Sequence, residues 1–177
     1  MKRTTSSIAA IAGQTVAAAI VFFAIGLATR MPALAFDQFY GLHATLAAPF
    51  YAFGICLAIR KGVGVAPIAA GSVIYGLILG AMSPVMAVGA IAPALALIAT
   101  WILAKSSTDA KRAFAAAVSY GTLVYPATLV GGLAFGSASM SLEGFAITAA
   151  VMFALSTLLA VVGAAIATPS RKSAGAA

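Results

Sequence analysis

"IAAIAGQTVAAAIVFFAIGLA", residues 8–28, decides how the rest of the chain is read. Lys2 and Arg3 precede it, and "ALAF" at Ala33–Phe36 follows it, so the N-terminus imitates a secretory signal with an A-x-A cleavage site. The apolar region of such a signal covers about 7–15 residues. This run covers 21, close to the roughly 20 residues that cross hydrocarbon as a helix. It is therefore read as a retained first transmembrane helix, with cleavage as the alternative.

The remainder of the chain has the same character. It is 63% hydrophobic and 7% charged, and its mean hydropathy is +1.12, leaving too little polar surface to coat a soluble globule. A net charge of +7 would suit nucleic acid if the cations formed a stripe, but they lie in ones and twos between apolar runs. Membrane topology accounts for them instead, so membrane lipid rather than nucleic acid is the expected surrounding. Cys56 has no second cysteine to pair with and no His or Cys at metal-ligand spacing, and is read as a small core residue.

Charges, glycines and prolines divide the chain into apolar segments at 8–28, 41–59, 63–81, 85–104, 113–135 and 145–167. Each is expected to span as a helix, because lipid leaves no other way to satisfy the backbone. The fold class is thus all-α, a bundle of six transmembrane helices forming one domain over residues 1–168, with a disordered tail at 169–177. The short connections after the second and third spans predict antiparallel hairpins, and Pro93 marks a point where the fourth helix can bend. No internal repeat relates the first three spans to the last three.

Lys2, Arg3, Arg60, Lys61, Lys105, Lys111, Arg112, Arg171 and Lys172 fall on one side of this topology, and only Arg30 on the other. The positive-inside rule then places both termini in the cytoplasm, and the 30–43, 82–84 and 136–144 connections outside. Trp101 and Lys105 fit anchoring at the inner interface.

As drawn, no span holds an Asp, Glu, Lys or Arg, although coupled carriers usually keep ionisable groups at membrane depth. There is no G-x-x-x-x-G-K-[ST] loop for ATP, and no HExxH or other zinc spacing. The two aspartates lie on opposite sides, and His43 stands alone, so aspartyl and serine mechanisms both lack a partner. The chain is read as a non-enzyme that binds a small molecule and relies on partners, with no cofactor.

Scarce polar chemistry gathers on the outer face. Asp37, Phe39, Tyr40 and His43 lie in the first loop, Tyr51 and Tyr75 in the second and third helices, Tyr125 beside Pro126, and Glu143 before the sixth span. Apolar walls with a few placed polar groups suit a flat heteroaromatic ligand, a cationic one included. The loop is read as the lid of that site. The alternatives are interfacial anchoring for the aromatics, an ion pair of Asp37 with Arg30, and a helix-terminal role for Glu143. On the first helix, Ala9, Gly13 and Ala17 make a small-xxx-small stripe that serves either internal packing or partner docking.

Taken together, these features resemble the substrate-binding (S) component of an energy-coupling factor (ECF) transporter. "FDQFYGLHATLAAPFYAFGICLAIRKGVGVAPIAAGSVIYGLILG", Phe36–Gly80, resembles the thiamine-related YkoE group and the MptD (Trep_Strep) group of S components. The resemblance implies six helices with both termini inside and a first external loop that covers the ligand. It also implies an Ala-x-x-x-Ala motif for the coupling subunit, which falls on Ala9, Gly13 and Ala17 with glycine in the centre. The ligand site would draw on Asp37, Tyr40, His43, Tyr75, Tyr125 and Glu143. The implied function is capture of a vitamin or related micronutrient, thiamine-like among the candidates, at a bacterial cell membrane. A T subunit and two ATPases would supply the energy while the S component topples. Two other readings stay open: a self-sufficient oligomeric channel or facilitator, and a ligand-free membrane assembly protein.

Overall fold

A computed structural model describes residues 2–33, 40–136 and 142–168, with side chains described for 8–33, 40–136 and 146–168. The expected lid around Asp37 and Phe39 and the expected tail at 169–177 lie outside the described residues. Those described form α1 (Lys2–Ala33), α2 (Leu42–Arg60), α3 (Val65–Gly80), α4 (Pro84–Leu103), α5 (Asp109–Ala134) and α6 (Leu142–Ile166), with a short 3-10 turn at Ala104–Ser106. Five of these helices are long and apolar enough to cross a membrane, and α3 is shorter. Ile8, Ile20 and Leu27 on α1 and Ile147, Leu158 and Ile166 on α6 are exposed. Apolar surface this extensive needs hydrocarbon or another protein against it. The architecture is compatible with a polytopic membrane protein.

α1 runs further than the sequence reading placed it. It continues to Ala33, which puts Arg30 in its last turn rather than in a connection. A cation there complements the negative end of the helix dipole. α4 continues as helix through Pro93.

The helices form a ring in the order α1, α3, α4, α5, α6, α2, with α2 and α5 also touching across it. One expected hairpin is present, α3 with α4. The other is corrected: α2 and α3 share the turn at residues 61–64, yet their backbones do not pack along each other. The small residues explain why. A Cβ on Gly71 of α3 would lie 2.8 Å from Thr15 O and 2.7 Å from Ala18 Cβ of α1, and one on Gly76 would lie 2.8 Å from Ala90 Cβ of α4. α2 makes its close approaches elsewhere: Pro49 O meets Gly163 of α6, and Ala48 O would lie 2.9 Å from a Cβ on Gly121 of α5. The close-packing faces of α2 and α3 thus point away from each other, and the two helices diverge from their common turn.

The end that holds this turn is tied by cations. Arg60 Nη1 donates to Ala167 O at 2.7 Å, closing the C-terminus of α6. Arg112 Nη2 donates to Trp101 O at 3.0 Å, its guanidinium carbon lies 3.9 Å from the Trp101 ring centroid, and Asp109 is 3.6 Å away. Cys56 is fully buried, with Sγ 3.7 Å from Thr168 Oγ1.

Gly121→Ala is expected to destabilise the bundle by about 1–3 kcal/mol, because the new methyl meets backbone and Cβ atoms that cannot swing aside. Gly54→Ala, where a Cβ meets nothing within 4 Å, is expected to be neutral or mildly stabilising. Thermal unfolding of both variants in one detergent checks the contrast.

Candidate functional site

The wedge between the diverging helices is a cavity of about 430 Å³. Its walls come from the C-terminal halves of α1 and α3, the middle and C-terminal part of α5, the N-terminal halves of α2 and α4, Tyr40 just before α2, and Met82 and Ser83 of the α3–α4 turn. The volume falls within the roughly 300–1,000 Å³ of small-molecule sites.

Its floor is aromatic. Phe22, buried on α1, fills the narrowing wedge, with ring centroids 5.3 Å from Tyr51, 6.2 Å from Tyr75 and 5.4 Å from Tyr120. Tyr51 and Tyr120 meet edge to face at 5.6 Å, as do Phe23 and Tyr75 at 6.2 Å. Gly26 lets the Tyr75 hydroxyl come against α1 at this level, where a Cβ would overlap it. The tyrosine hydroxyls are held unequally. Ser72 Oγ donates to Ala90 O at 3.0 Å, which leaves the Tyr120 hydroxyl to donate to Ser72 Oγ at 2.6 Å. Tyr51 Oη reaches only long partners, Phe22 O at 3.4 Å and Tyr75 Oη at 3.5 Å. Those two hydroxyls thus retain hydrogen-bonding capacity towards the cavity, whereas that of Tyr120 is committed to structure.

Nearer the mouth, Arg30, Tyr40, His43, Met86 and Thr128 line the wall. Gly41 precedes α2 with φ 76°, a left-handed conformation that favours glycine, and its close neighbour is the Tyr125 ring. The Tyr40 hydroxyl lies against Gly132, where any Cβ would collide with it. α5 therefore supports the residues leading into α2 through Tyr125 and Gly132, and this fixes where Tyr40 and His43 stand.

Of the residues singled out from sequence, Tyr40, His43, Tyr51 and Tyr75 come together on the wall. Tyr125 does not line it; the side chain is buried behind, under Gly41. Asp37 and Phe39 lie outside the described residues, and so does the side chain of Glu143, although its backbone begins α6. Sequence reasoning missed Tyr120 and the place of Arg30. Tyr120 carried a signal, since a tyrosine far from both ends of a span is not an interfacial anchor and its hydroxyl must find a partner in the bundle. Arg30 was hidden by the helix boundary drawn two residues before it.

The small-residue stripe behaves differently from an internal seam. Ala9, Gly13 and Ala17 are exposed, and a Cβ on Gly13 would meet nothing within 4 Å. The seam of α1 that packs inside is instead Thr15, Ala18, Ala19 and Phe22. Among the described residues no group of three His, Cys, Asp or Glu side chains converges as a metal site would require. Comparison with family models, with characterised proteins and with solved structures returns no match to this chain.

Ser72→Ala strands the buried Tyr120 hydroxyl and is expected to cost about 1–3 kcal/mol of stability. Tyr120→Phe leaves Ser72 bonded to Ala90 O and should cost less. Unfolding midpoints of the two variants, compared with the parent protein, test this order.

Proposed function

We propose that this protein is the membrane-embedded substrate-binding subunit of an ATP-driven importer of the energy-coupling factor type. On this reading six spanning helices hold both termini in the cytoplasm, and the cavity opens at the outer end of the bundle. The observation that carries the reading is the separation along α1: one half of this helix walls the aromatic cavity, and the other half presents Ala9, Gly13 and Ala17 unpacked. A ligand site and a docking stripe on one helix suit a subunit that captures a solute at one face and couples to partners near the other. The cations support the orientation, because Arg60, Lys61, Lys105, Lys111 and Arg112 lie at the end opposite the cavity.

On this reading the chain catalyses nothing itself. It binds a vitamin or related micronutrient and borrows its driving force from a T subunit and two ATPases in a bacterial cell membrane. The floor of the cavity supplies ring-stacking faces, and the Tyr51 and Tyr75 hydroxyls supply orientation.

Native mass spectrometry of the protein drawn from its own membranes in mild detergent tests the reading. A vitamin-sized molecule retained together with a T subunit and ATPases is the expected result. A homo-oligomer that conducts solute into vesicles without ATP would overturn it in favour of a facilitator. Gly13→Leu is expected to abolish co-purification of the T subunit while leaving ligand affinity within about twofold, since a bulky side chain there blocks close helix approach without touching the cavity. Tyr40→Ala is expected to weaken ligand binding by about tenfold or more, the loss of a large aromatic contact at the mouth; equilibrium binding on the folded variant measures it.

A further inference from the structure

The charge on the cavity wall specifies the ligand further. Among the described residues the sole formal charge on that wall is the guanidinium of Arg30. Its hydrogen bond within the described protein is to Met86 Sδ at 3.8 Å, and a thioether is a weak acceptor. Among the described residues, therefore, a fork of N–H donors lines a largely apolar space with no carboxylate beside it. Asp109, the acid whose side chain is described, sits beside Arg112 at the other end of the bundle. His43, half-buried on the same wall, adds a ring that can donate one hydrogen bond when neutral.

We infer that the cavity takes an aromatic acid, with its ring on the Tyr51, Tyr75 and Tyr120 side chains that Phe22 backs, and its carboxylate or phosphate on Arg30. The inference rests on the cavity being a ligand site, as proposed above, and narrows the ligand to one charge class. A planar guanidinium matches either anion through two parallel hydrogen bonds. Arg30 is exposed at the mouth, where solvent weakens its field, yet its charge still repels a cation as it attracts an anion, so the aromatic floor alone does not select a cationic ring. Spacing follows from α1. Gly26 and Phe23, which line the cavity, lie four and seven residues before Arg30, a rise of roughly 6–10 Å along the helix axis at 1.5 Å per residue, and this sets the scale of the distance between acid group and ring.

A matched set of probes tests this: 4-(2-naphthyl)butanoate, its primary amide and the corresponding amine, titrated calorimetrically into the purified full-length protein in uncharged detergent. The acid is expected to bind about tenfold or more tightly than the amine, with the amide between them. Arg30→Gln should abolish that preference while leaving the amide within about threefold, and Arg30→Lys should retain part of it. Equal or tighter binding of the amine, a preference unchanged in Arg30→Gln, or no binding of any probe would overturn the inference. Arg30 could also meet its anion on a lipid headgroup. Mass spectrometry of the same preparation separates the sources: a retained phospholipid that the acid probe does not displace assigns Arg30 to the lipid and also overturns it. Co-purifying subunits, scored on that preparation, report on the transporter reading separately. A coupled complex that prefers the amine would refute the acid alone, and an acid-binding homo-oligomer would refute the importer alone.

Discussion

Close approach of helix backbones is the constraint on which the rest of this structure depends. In hydrocarbon the backbone must satisfy its own hydrogen bonds, which yields helices, but apolar side chains gain nothing by leaving lipid for one another. What holds such helices together is packing at short range, and short range requires residues with little or no side chain. Gly71, Gly76, Gly121 and Gly163 are among the points where neighbouring helices come within reach of a missing Cβ. Alanines supply much of the remaining seam, with Ala48, Ala52, Ala116, Ala117, Ala160 and Ala164 fully buried.

The distribution of those contacts, more than their number, makes the cavity. α2 gives its small-residue faces to α5 and α6, whereas α3 gives its own to α1 and α4. Two helices joined by a tight turn are thereby drawn in different directions. The space between them narrows towards the turn and widens away from it, and Phe22 closes the narrow part. Large aromatic side chains occupy the level where the wedge becomes too wide for alanine to fill and too narrow for a solute.

Polarity follows the same division. At the narrow end the cations have protein partners: Arg60 on the last turn of α6, Arg112 on Trp101 and Asp109. At the wide end Arg30 has a thioether. A buried hydroxyl deep in the bundle, that of Tyr120, is bonded to Ser72, while the hydroxyls of Tyr51 and Tyr75 above it hold each other only at 3.5 Å. The groups with spare hydrogen-bonding capacity therefore face the space a ligand would fill.

Much of this was legible in the residues. Apolar runs of helix-spanning length between charged connections establish the number of helices and their near boundaries, because those features depend on local composition and on the backbone's need for internal hydrogen bonds. Tyr40, His43, Tyr51 and Tyr75 were recognisable as a group through topology, which brings one end of each span to one face. Neighbour choice was not legible. In an alanine-rich chain any helix offers small residues at four-residue spacing, so whether α2 packs on α3 or diverges from it depends on which faces fit in three dimensions. That decision opened the cavity, placed Tyr120 on its wall and Tyr125 behind it, and left Ala9, Gly13 and Ala17 outside the bundle. The sequence by itself determined an all-helical chain suited to a membrane, through local hydrophobicity. Only the tertiary structure decided where that chain has room for a ligand, because a cavity is the space left between helices whose closest contacts lie elsewhere.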